Sequence, residues 1–405
     1  MLNLFFPFRW TKAKLFQYID CLFQKKHYKV LFVVKSRTYF SGNLRVVLES
    51  FLKYGSHEIY IYKDGDMSPK LTKELKELGV HVLKSFTLHS IWHILTSGTI
   101  ILSHNPRDAH ITQKCKRRMI VNLWHGVAIK QIELLMPNIE SKKLKLLHNN
   151  SKLYDMLIAS SQQDKITNAN AFGVSLDKVH ITGLPRYEIL KSTYRLGTVL
   201  KEEENNIVQI KAKRKLVLFA PTFRENHTSA IEQITSEEWE ALSIFAKKTN
   251  ILFGIRPHPY DIKYLPKEIM DDPYFHLFEN SSYTEPNILL KHTDVLIVDY
   301  SSIWIDYLLL HRPIIGFSKD YVQYLEEERG FVYDFNSIFP NTFTTEINEL
   351  INAIEISLSI NTPTSYHKAL NLFHQYPLEY DYAIKIYNEI KIQYNKPDSS
   401  KAQLS

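Results

Sequence analysis

Short apolar runs alternate with amphipathic segments along most of the chain from residue 28 onward. The run YKVLFVV (28–34) precedes GNLRVVLESFLKYG, and EIYIY (58–62) precedes SPKLTKELKELG. Short apolar runs are typical of buried strands, whereas apolar residues three or four positions apart indicate helices. Repeated strand and helix pairs predict a parallel sheet that is covered by helices on both faces.

The pattern occurs in two series. The first ends near KVHITGLPRYEILK (178–191), and the second extends from LVLFAPT (216–222) to PIIGF (313–317). We interpret the polar stretch KEEENNIVQIKAKRK between them as a surface connection. The sequence therefore predicts two doubly wound, Rossmann-like α/β domains. The predicted segments are a basic amphipathic N-terminal segment (1–27), a first domain (28–192), a second domain (193–370), a C-terminal helix (371–395) and a disordered tail (396–405).

Polar clusters follow directly after four of the apolar runs. Parallel sheets of this kind bind ligands at the carboxyl ends of their strands, so these clusters are candidates for a binding site. The four clusters are His125-Gly126, Thr222 to Glu225, Arg256 to Pro259, and Asp299 to Ser302.

Three of the clusters lie in the second domain and contain groups that bind phosphate. In DYSSIW, Asp299 ends a strand, and Ser301 and Ser302 open a helix that we expect to run to about His311. The free N–H groups of a helix start bind anions, although simple N-capping by a serine gives the same pattern.

The other two clusters add cationic groups. In RPHP, Arg256 can hold a diphosphate and His258 can donate a proton to a departing oxygen, although for this motif alone a rigid turn with an exposed histidine is the preferred explanation. Thr222 and Arg224 follow another strand, where the alternative is a turn with a surface arginine. Together these clusters predict a nucleotide diphosphate site.

The first domain contributes NLWHGVAIK (122–130). A histidine and glycine at the end of a strand form either a tight turn or a general base close to a substrate. The two domains together predict a cleft in which His125 and Lys130 face a phosphorylated donor.

Composition excludes several classes of protein. Cys21 and Cys115 are the only cysteines and lack CxxC spacing, which argues against a disulfide framework and favours a reducing cytosol. The sequence has neither a run of 18 apolar residues nor a signal peptide, so we expect neither a membrane-spanning nor an exported protein. It also lacks a Walker loop and a GxGxxG motif, which argues against ATP or NAD chemistry. No zinc or nucleic-acid motif occurs. Asp64-Gly65-Asp66 resembles a metal-binding spacing, but its neighbours favour a turn, so we predict no metal and no cofactor.

The formal charge of +7 is concentrated at the start of the chain. The first 30 residues contain six basic residues among eight aromatic ones, a mixture that can lie on an anionic membrane surface. A helix packed on the body of the protein, with solvated lysines, is the alternative.

In order, NLWHGVAIK, TGLPRYE, APTFRE, RPHP, TDVLIVDYSSIWIDYLLLHRPIIGF and ERGFVYDF (328–335) resemble the CDP-glycerol glycerophosphotransferase family of teichoic-acid and capsule synthesis. The resemblance implies a GT-B fold, in which two Rossmann-like domains enclose the active site and a C-terminal helix, here YDYAIKIYNEIKIQY (379–394), crosses back to the first domain. It also implies transfer of glycerol 3-phosphate from CDP-glycerol to a hydroxyl, with release of CMP.

Residue roles follow from the resemblance. His125 matches the family's base on the acceptor, and His258 matches its contact to the donor phosphates, with Arg256, Ser301 and Ser302 around them. Gly126 is then the small residue that lets an acceptor approach, and Lys130 meets phosphate charge. Val127-Ala128 stands where the family commonly has threonine and proline. The resemblance therefore does not define the acceptor of this chain.

We therefore expect a cytosolic enzyme, peripheral on the inner face of the cell membrane, that acts on a lipid-linked saccharide or a growing polymer. One alternative is a GT-B glycosyltransferase or sugar-nucleotide epimerase that uses a UDP- or CMP-sugar. Another is a binding protein that has lost the chemistry. We expect no nucleic-acid partner, and the sequence leaves the oligomeric state open.

Overall fold

A computed structural model describes residues 19–36, 38–115, 117–225, 228–328, 330–359, 364 and 366–395. Most of the predicted N-terminal segment, all of the predicted tail and Arg329 lie outside these described residues. The chain divides into two compact units. Unit 1 contains the described residues up to 126, residues 138–188 and those from 380 onward, and unit 2 contains residues 127–137 and 189–379.

Unit 1 is built on a parallel sheet. Its described strands are β1 (Lys26–Val34), β2 (Glu58–Lys63), β3 (His81–Leu83), β4 (Ser97–Leu102), β5 (Met119–Asn122), β6 (Met156–Ala159) and β7 (Val179–Ile181). The spatial order is β3-β2-β1-β4-β5-β6-β7. In the register, Leu102 pairs with both Val33 and Asn122, so the residues that follow β1, β4 and β5 meet at one edge.

Helices cover this sheet. The first five described helices are α1 (Gly42–Tyr54), α2 (Pro69–Glu77), α3 (Leu88–Thr96), α4 (Ser141–Ser151) and α5 (Gln162–Phe172). Gly173 ends α5, with a φ of 60° that glycine adopts without strain. Short 3₁₀ turns occur in both units, at Asp20–Leu22, Pro106–Ala109, Glu133–Leu135, Leu176–Lys178, Pro185–Leu190 and Ile262–Tyr264.

Unit 2 repeats the plan. Its strands are β8 (Leu216–Ala220), β9 (Leu252–Ile255), β10 (Phe275–Leu277), β11 (Val295–Val298), β12 (Ile314–Phe317) and β13 (Phe343–Thr344), in the order β10-β9-β8-β11-β12-β13. Its helices are α6 (Thr198–Lys211), α7 (Ser236–Thr249), α8 (Lys267–Met270), α9 (Pro286–His292), α10 (Ile303–Leu308), α11 (Tyr321–Glu327), α12 (Phe335–Ile338), α13 (Ile347–Ser359) and α14 (His367–Phe373).

In both sheets the strand order reverses beside the first strand, at β1 and at β8. This is the doubly wound arrangement, so the predicted α/β fold class is confirmed. The predicted cleft between the domains stays a prediction.

The stretch that we interpreted as a surface connection is helix α6, so that interpretation is wrong. Two of its glutamates are buried because they have partners on the segment around α9. Glu203 accepts hydrogen bonds from the Thr284 hydroxyl at 2.6 Å and the Thr284 amide at 3.0 Å. Glu204 accepts hydrogen bonds from Lys291 at 2.9 Å and His292 at 3.1 Å.

The last described helix, α15 (Tyr382–Asn395), belongs to unit 1. It packs on α1, where the rings of Phe51 and Tyr387 meet edge to face at 5.2 Å. Glu188 accepts a hydrogen bond from the Tyr382 amide at 2.6 Å, which anchors the start of the helix. None of the described helices is long and apolar enough to cross a membrane.

Candidate active site

His125 stands three residues beyond the end of β5, on a backbone that a neighbouring helix holds in place. The side-chain amide of Asn43, in α1, donates to the carbonyl oxygens of Leu123 and Trp124, both at 3.1 Å. Asn122 accepts a hydrogen bond from the Trp124 amide at 2.9 Å. Trp124 itself has a φ of 48°, which turns the chain sharply and leaves His125 exposed.

The surroundings of the His125 ring favour one tautomer. Its Nδ1 lies 3.4 Å from the carbonyl oxygen of Ser103, which can only accept a hydrogen bond, so Nδ1 carries the proton and Nε2 is left as an acceptor. The ring stacks on His104, with centroids 4.7 Å apart. Although part of the His125 ring is open to solvent, desolvation by the protein packed around it, together with the positive charge of Arg186, lowers its pKa, and the hydrogen bond to Ser103 only partly opposes this shift. The ring is therefore neutral at physiological pH, as a general base requires.

Gly126 has a local structural reason to be glycine. Its φ of 159° is unfavourable for other residues, and a Cβ added there would lie 3.3 Å from the Arg186 guanidinium. Arg186 also donates a hydrogen bond to the carbonyl oxygen of His125. The space beside Gly126 that we predicted for an acceptor thus borders a cation.

Lys130 belongs to unit 2, so the NLWHGVAIK motif is divided between the units after Gly126. It forms an antiparallel bridge with Phe331, and the Val332 amide donates to the carbonyl oxygen of Ile129 at 2.9 Å. The Lys130 ammonium lies 5.3 Å from the centre of the Tyr324 ring. Residues 330–332, within the ERGFVYDF motif, therefore hydrogen-bond to the segment that follows His125-Gly126.

Arg224 and Asp299 are buried, and they form an ion-pair network at the ends of β8, β11 and β12. Arg224 donates to Asp299 and, at 2.9 and 3.0 Å, to both carboxylate oxygens of Asp320. Burial opposes ionisation of Asp320, but hydrogen bonds and charge from Arg224 outweigh it and lower the pKa to about 2. Asp299 also accepts from the Thr222 amide at 2.9 Å. These contacts indicate a structural role for Arg224 and Asp299. The hydroxyl oxygen of Thr222, by contrast, has no hydrogen-bond partner among the described residues.

Ser301 and Ser302 are half-buried and precede α10. Ser301 Oγ lies 3.5 Å from the Ile303 amide, while Ser302 occupies the N-cap position without a side-chain hydrogen bond. The helix ends at Leu308, earlier than predicted, because the chain turns there and His311 adopts a left-handed conformation. The serines thus lie beside Asp299, at the carboxyl end of β11.

His258 shows the opposite tautomer to His125. Its Nδ1 faces the Tyr260 amide at 3.4 Å and accepts from it, so Nε2 carries the proton and can donate. Burial lowers its pKa, which Asp261 opposes. The ring packs against Phe223 at 4.4 Å. Arg256, from the same motif, donates to the carbonyl oxygen of Tyr283 at 3.0 Å.

Four residues that the sequence did not single out contribute to these sites: Ser103, His104, Arg186 and Asp320. Ser103-His104 and Asp320 follow β4 and β12, so the same strand-end argument was available for them. Arg186 lies within TGLPRYE, but only the fold brings it to His125. The Asp64-Gly65-Asp66 segment is a bend in which Asp64 accepts from Ser85 at 2.6 Å. Independence of metal stays a prediction.

Known proteins with related sequences are enzymes of teichoic acid synthesis. The chain is 31% identical over 337 residues to the teichoic acid poly(ribitol-phosphate) polymerase of Bacillus spizizenii, covering 82% of this chain and 51% of that protein. It is 26% identical over 347 residues to the teichoic acid ribitol-phosphate primase of the same organism, covering 84% and 85%. It is 27% identical over 338 residues to a poly(glycerol phosphate) polymerase of that organism, covering 80% and 82%. The chain thus spans about half the length of the first relative and most of the other two.

Solved structures share the fold. The wall teichoic acid polymerase TagF, in its H444N form soaked with CDPG, superimposes with a TM-score of 0.73 at 17% identity, over 95% of this chain and 94% of that one. The UDP-GlcNAc 2-epimerase of Neisseria meningitidis gives a TM-score of 0.54 at 16% identity, over 90% and 100%. The family described as CDP-Glycerol:Poly(glycerophosphate) glycerophosphotransferase matches residues 15–383. Since that match covers most of the sequence and includes every site residue described above, the chain belongs to the CDP-glycerol:poly(glycerophosphate) glycerophosphotransferase family.

Proposed function

We propose that the protein transfers glycerol 3-phosphate from CDP-glycerol to a hydroxyl group of a teichoic-acid or capsule precursor and releases CMP. The observation that carries this proposal is the pair of Nδ1 contacts of His125 and His258 within the family match, from which opposite tautomers are inferred. His125 offers an acceptor nitrogen, and His258 offers a donor N–H. A phosphoryl transfer to a hydroxyl needs one group of each kind.

The reaction balances with these roles. The acceptor oxygen attacks the β-phosphorus of CDP-glycerol, and its proton moves to Nε2 of His125. The bond between the β-phosphorus and the bridging oxygen breaks, and CMP leaves with that oxygen. His258 donates a hydrogen bond to the phosphates, which stabilises the charge that develops on CMP.

The other predicted site residues support this donor site in two ways. Thr222, Ser301, Ser302 and Arg256 lie at the carboxyl ends of β8, β11 and β9, where the fold class binds ligands. Arg224 and Asp299 position Thr222 through the buried ion pair rather than by touching the donor. Lys130 contributes positive charge from the segment that follows His125-Gly126.

The acceptor that we propose is a lipid-linked saccharide or a growing polymer, used at the inner face of the cell membrane. The related primase and polymerases act at different stages of chain growth, and both ribitol and glycerol phosphate occur among their names. CDP-ribitol is therefore the principal competing donor. The product length formed on a defined lipid-linked acceptor distinguishes a primase from a polymerase.

The proposal is tested by measuring CMP release from CDP-glycerol, CDP-ribitol and UDP-GlcNAc in the presence of a lipid-linked acceptor. We expect CDP-glycerol to be used best, and His125→Ala and His258→Ala each to lower kcat by about 100-fold or more. His148→Ala in unit 1 and His367→Ala in unit 2 are controls, because both residues are exposed histidines outside the site. Unchanged turnover in both site variants contradicts the mechanism, and preferred turnover of UDP-GlcNAc contradicts the donor class.

A further inference from the structure

Asn43 is a buried residue of unit 1 that belongs to none of the motifs identified in the sequence. It is the second residue of α1 and is 4% exposed. Its side-chain amide donates to the carbonyl oxygens of Leu123 and Trp124, and its side-chain oxygen accepts from the Arg186 amide, each at 3.1 Å. These partners lie 80, 81 and 143 positions further along the chain. One side chain thus joins α1 to the segment that carries His125 and to the segment that carries Arg186.

Helix capping does not explain these contacts. A capping asparagine occupies the N-cap position, where its side-chain oxygen accepts from an amide two or three residues later in the same helix. The N-cap of α1 is Ser41, and Asn43 lies inside the first turn. Its oxygen accepts from Arg186, in the 3₁₀ turn Pro185–Leu190, instead of from an amide of α1. The side chain of Asn43 therefore holds the loops at the carboxyl ends of β5 and β7.

The contacts of Asn43 close a ring of hydrogen bonds around the backbone of His125. The carbonyl oxygens of Leu123 and Trp124 accept directly from Asn43. The carbonyl oxygen of His125 accepts from the guanidinium of Arg186, the residue whose amide donates to Asn43. Three consecutive carbonyl groups are thus held, and Asn43 takes part in fixing all of them.

This ring holds a backbone conformation that tryptophan does not adopt readily. The φ of Trp124 is 48°, in the left-handed region that a Cβ atom disfavours. Such a conformation persists only where the surrounding contacts determine it. Asn43 holds the carbonyl groups on both sides of the Trp124 Cα, so it stabilises the turn that places His125 with Nδ1 3.4 Å from the Ser103 carbonyl oxygen.

We propose that Asn43 is a positioning residue of the transfer reaction, which holds the His125 ring where Nε2 meets the acceptor hydroxyl. This inference rests on the proposed function, in which His125 takes the proton of that hydroxyl. A general base must lie within hydrogen-bond distance of the proton, and a displacement of about 1 Å can lower the rate by about 100-fold. Because Asn43 is buried behind the loop, its effect on the reaction passes through His125.

The test is a double-mutant cycle on kcat for CMP release from CDP-glycerol, with the parent, Asn43→Ala, His125→Ala and the variant that carries both substitutions. We expect Asn43→Ala to lower kcat by about tenfold or more while the KM for CDP-glycerol changes by less than about twofold, because a misplaced base affects the chemical step. In the His125→Ala background the same substitution should lower kcat by less than about twofold, since no base remains to be positioned.

Asn168→Ala is the matched control. Asn168 is a buried asparagine of unit 1, 2% exposed, and its side-chain amide donates to the Ile158 carbonyl oxygen, in β6, at 3.1 Å. We expect its replacement to lower the free energy of unfolding but to leave kcat within about twofold of the parent value. Urea unfolding shows which variants fold. If Asn43→Ala does not, Asn43→Ser, which leaves a smaller cavity, takes its place in the cycle.

Three results overturn the positioning role: an unchanged kcat in Asn43→Ala, a loss by the same factor in both His125 backgrounds, or a higher KM for CDP-glycerol with kcat unchanged. The second of these indicates general damage to unit 1, because an effect that passes through His125 disappears when His125 is replaced. His125→Ala alone tests the proposed function separately. If that variant keeps the parent kcat, the base itself is refuted and the positioning role with it, whereas the three results above leave the base assigned.

Discussion

At the residue scale, the protonation state of His125 depends on its neighbours in unit 1. Desolvation by the surrounding protein and the charge of Arg186 lower its pKa to about 4. A general base acts when it is deprotonated. Activity should therefore persist below pH 6.5, the pH at which an ordinary histidine is half protonated. We expect the acid limb of kcat/KM against pH to lie below that value.

Replacing Arg186 tests this assignment. Arg186→Gln removes the cation beside His125, so we expect the pKa of the base to rise and the acid limb to move to higher pH by up to about one unit. Arg186→Lys keeps the charge and should leave the limb near its original position. An identical pH profile in all three proteins contradicts the role of His125 as the titrating base, whereas a uniform loss of rate indicates only a structural effect.

The sequence identified those site residues that follow a predicted strand, because parallel sheets bind ligands at the carboxyl ends of their strands. His125, Thr222, His258 and the serines directly follow apolar runs, and parallel strands end at one edge of a sheet. The rule could not show that Arg224 is buried, because its partner Asp320 is 96 positions away and no local pattern records the pair. It also could not divide NLWHGVAIK between two units, since the contacts that hold Lys130 come from residues around Phe331.

At the element scale, Gly183 in TGLPRYE fixes how α15 docks. Its φ is 69°, and a Cβ there would lie 2.3 Å from a ring carbon of Tyr382, the first residue of the helix. Gly183→Ala should therefore displace α15 and lower the free energy of unfolding of unit 1 by about 2 kcal/mol or more. Urea unfolding measures the loss, and hydrogen exchange in α15 locates it.

Gly79→Ala is the matched control for that prediction. Gly79 also has a positive φ, 80°, but a Cβ there meets nothing within 4 Å, so its substitution introduces backbone strain without a clash. We expect a cost of only about 1 kcal/mol and unchanged exchange in α15. Equal losses in the two variants contradict the docking role of Gly183 and attribute its effect to the backbone alone.

Elements were predictable where their pattern is local. The long apolar runs of β1, β8 and β11 and the glycine-ended α5 all appear in the structure. Helix α6 was mistaken for a connection because its buried glutamates look like surface charge until Thr284, Lys291 and His292 are placed beside them. Strand β13 has two residues, too few for any periodicity to appear.

At the scale of the whole molecule, the chain leaves unit 1 after residue 188 and returns to it at residue 380. The returning helix α15 buries Tyr382, Ile386, Tyr387 and Ile390, and each large apolar side chain contributes about 1.5–3 kcal/mol when fully buried. His180 Nδ1 lies 2.9 Å from a carboxylate oxygen of Glu389, within hydrogen-bond distance. Unit 1 therefore depends for its stability on the last part of the sequence.

Deleting residues 380–405 should consequently destabilise unit 1 selectively. Hydrogen exchange followed by mass spectrometry is the measurement, because it reports β1 to β7 and β8 to β13 separately. We expect faster exchange in α1 and β7, whose partners include α15, and unchanged protection in the strands of unit 2. Deleting residues 396–405 alone keeps the helix and should change neither unit. Equal loss of protection in both sheets would show that the two units unfold as one, and no loss in either would show that α15 contributes nothing to the stability of unit 1.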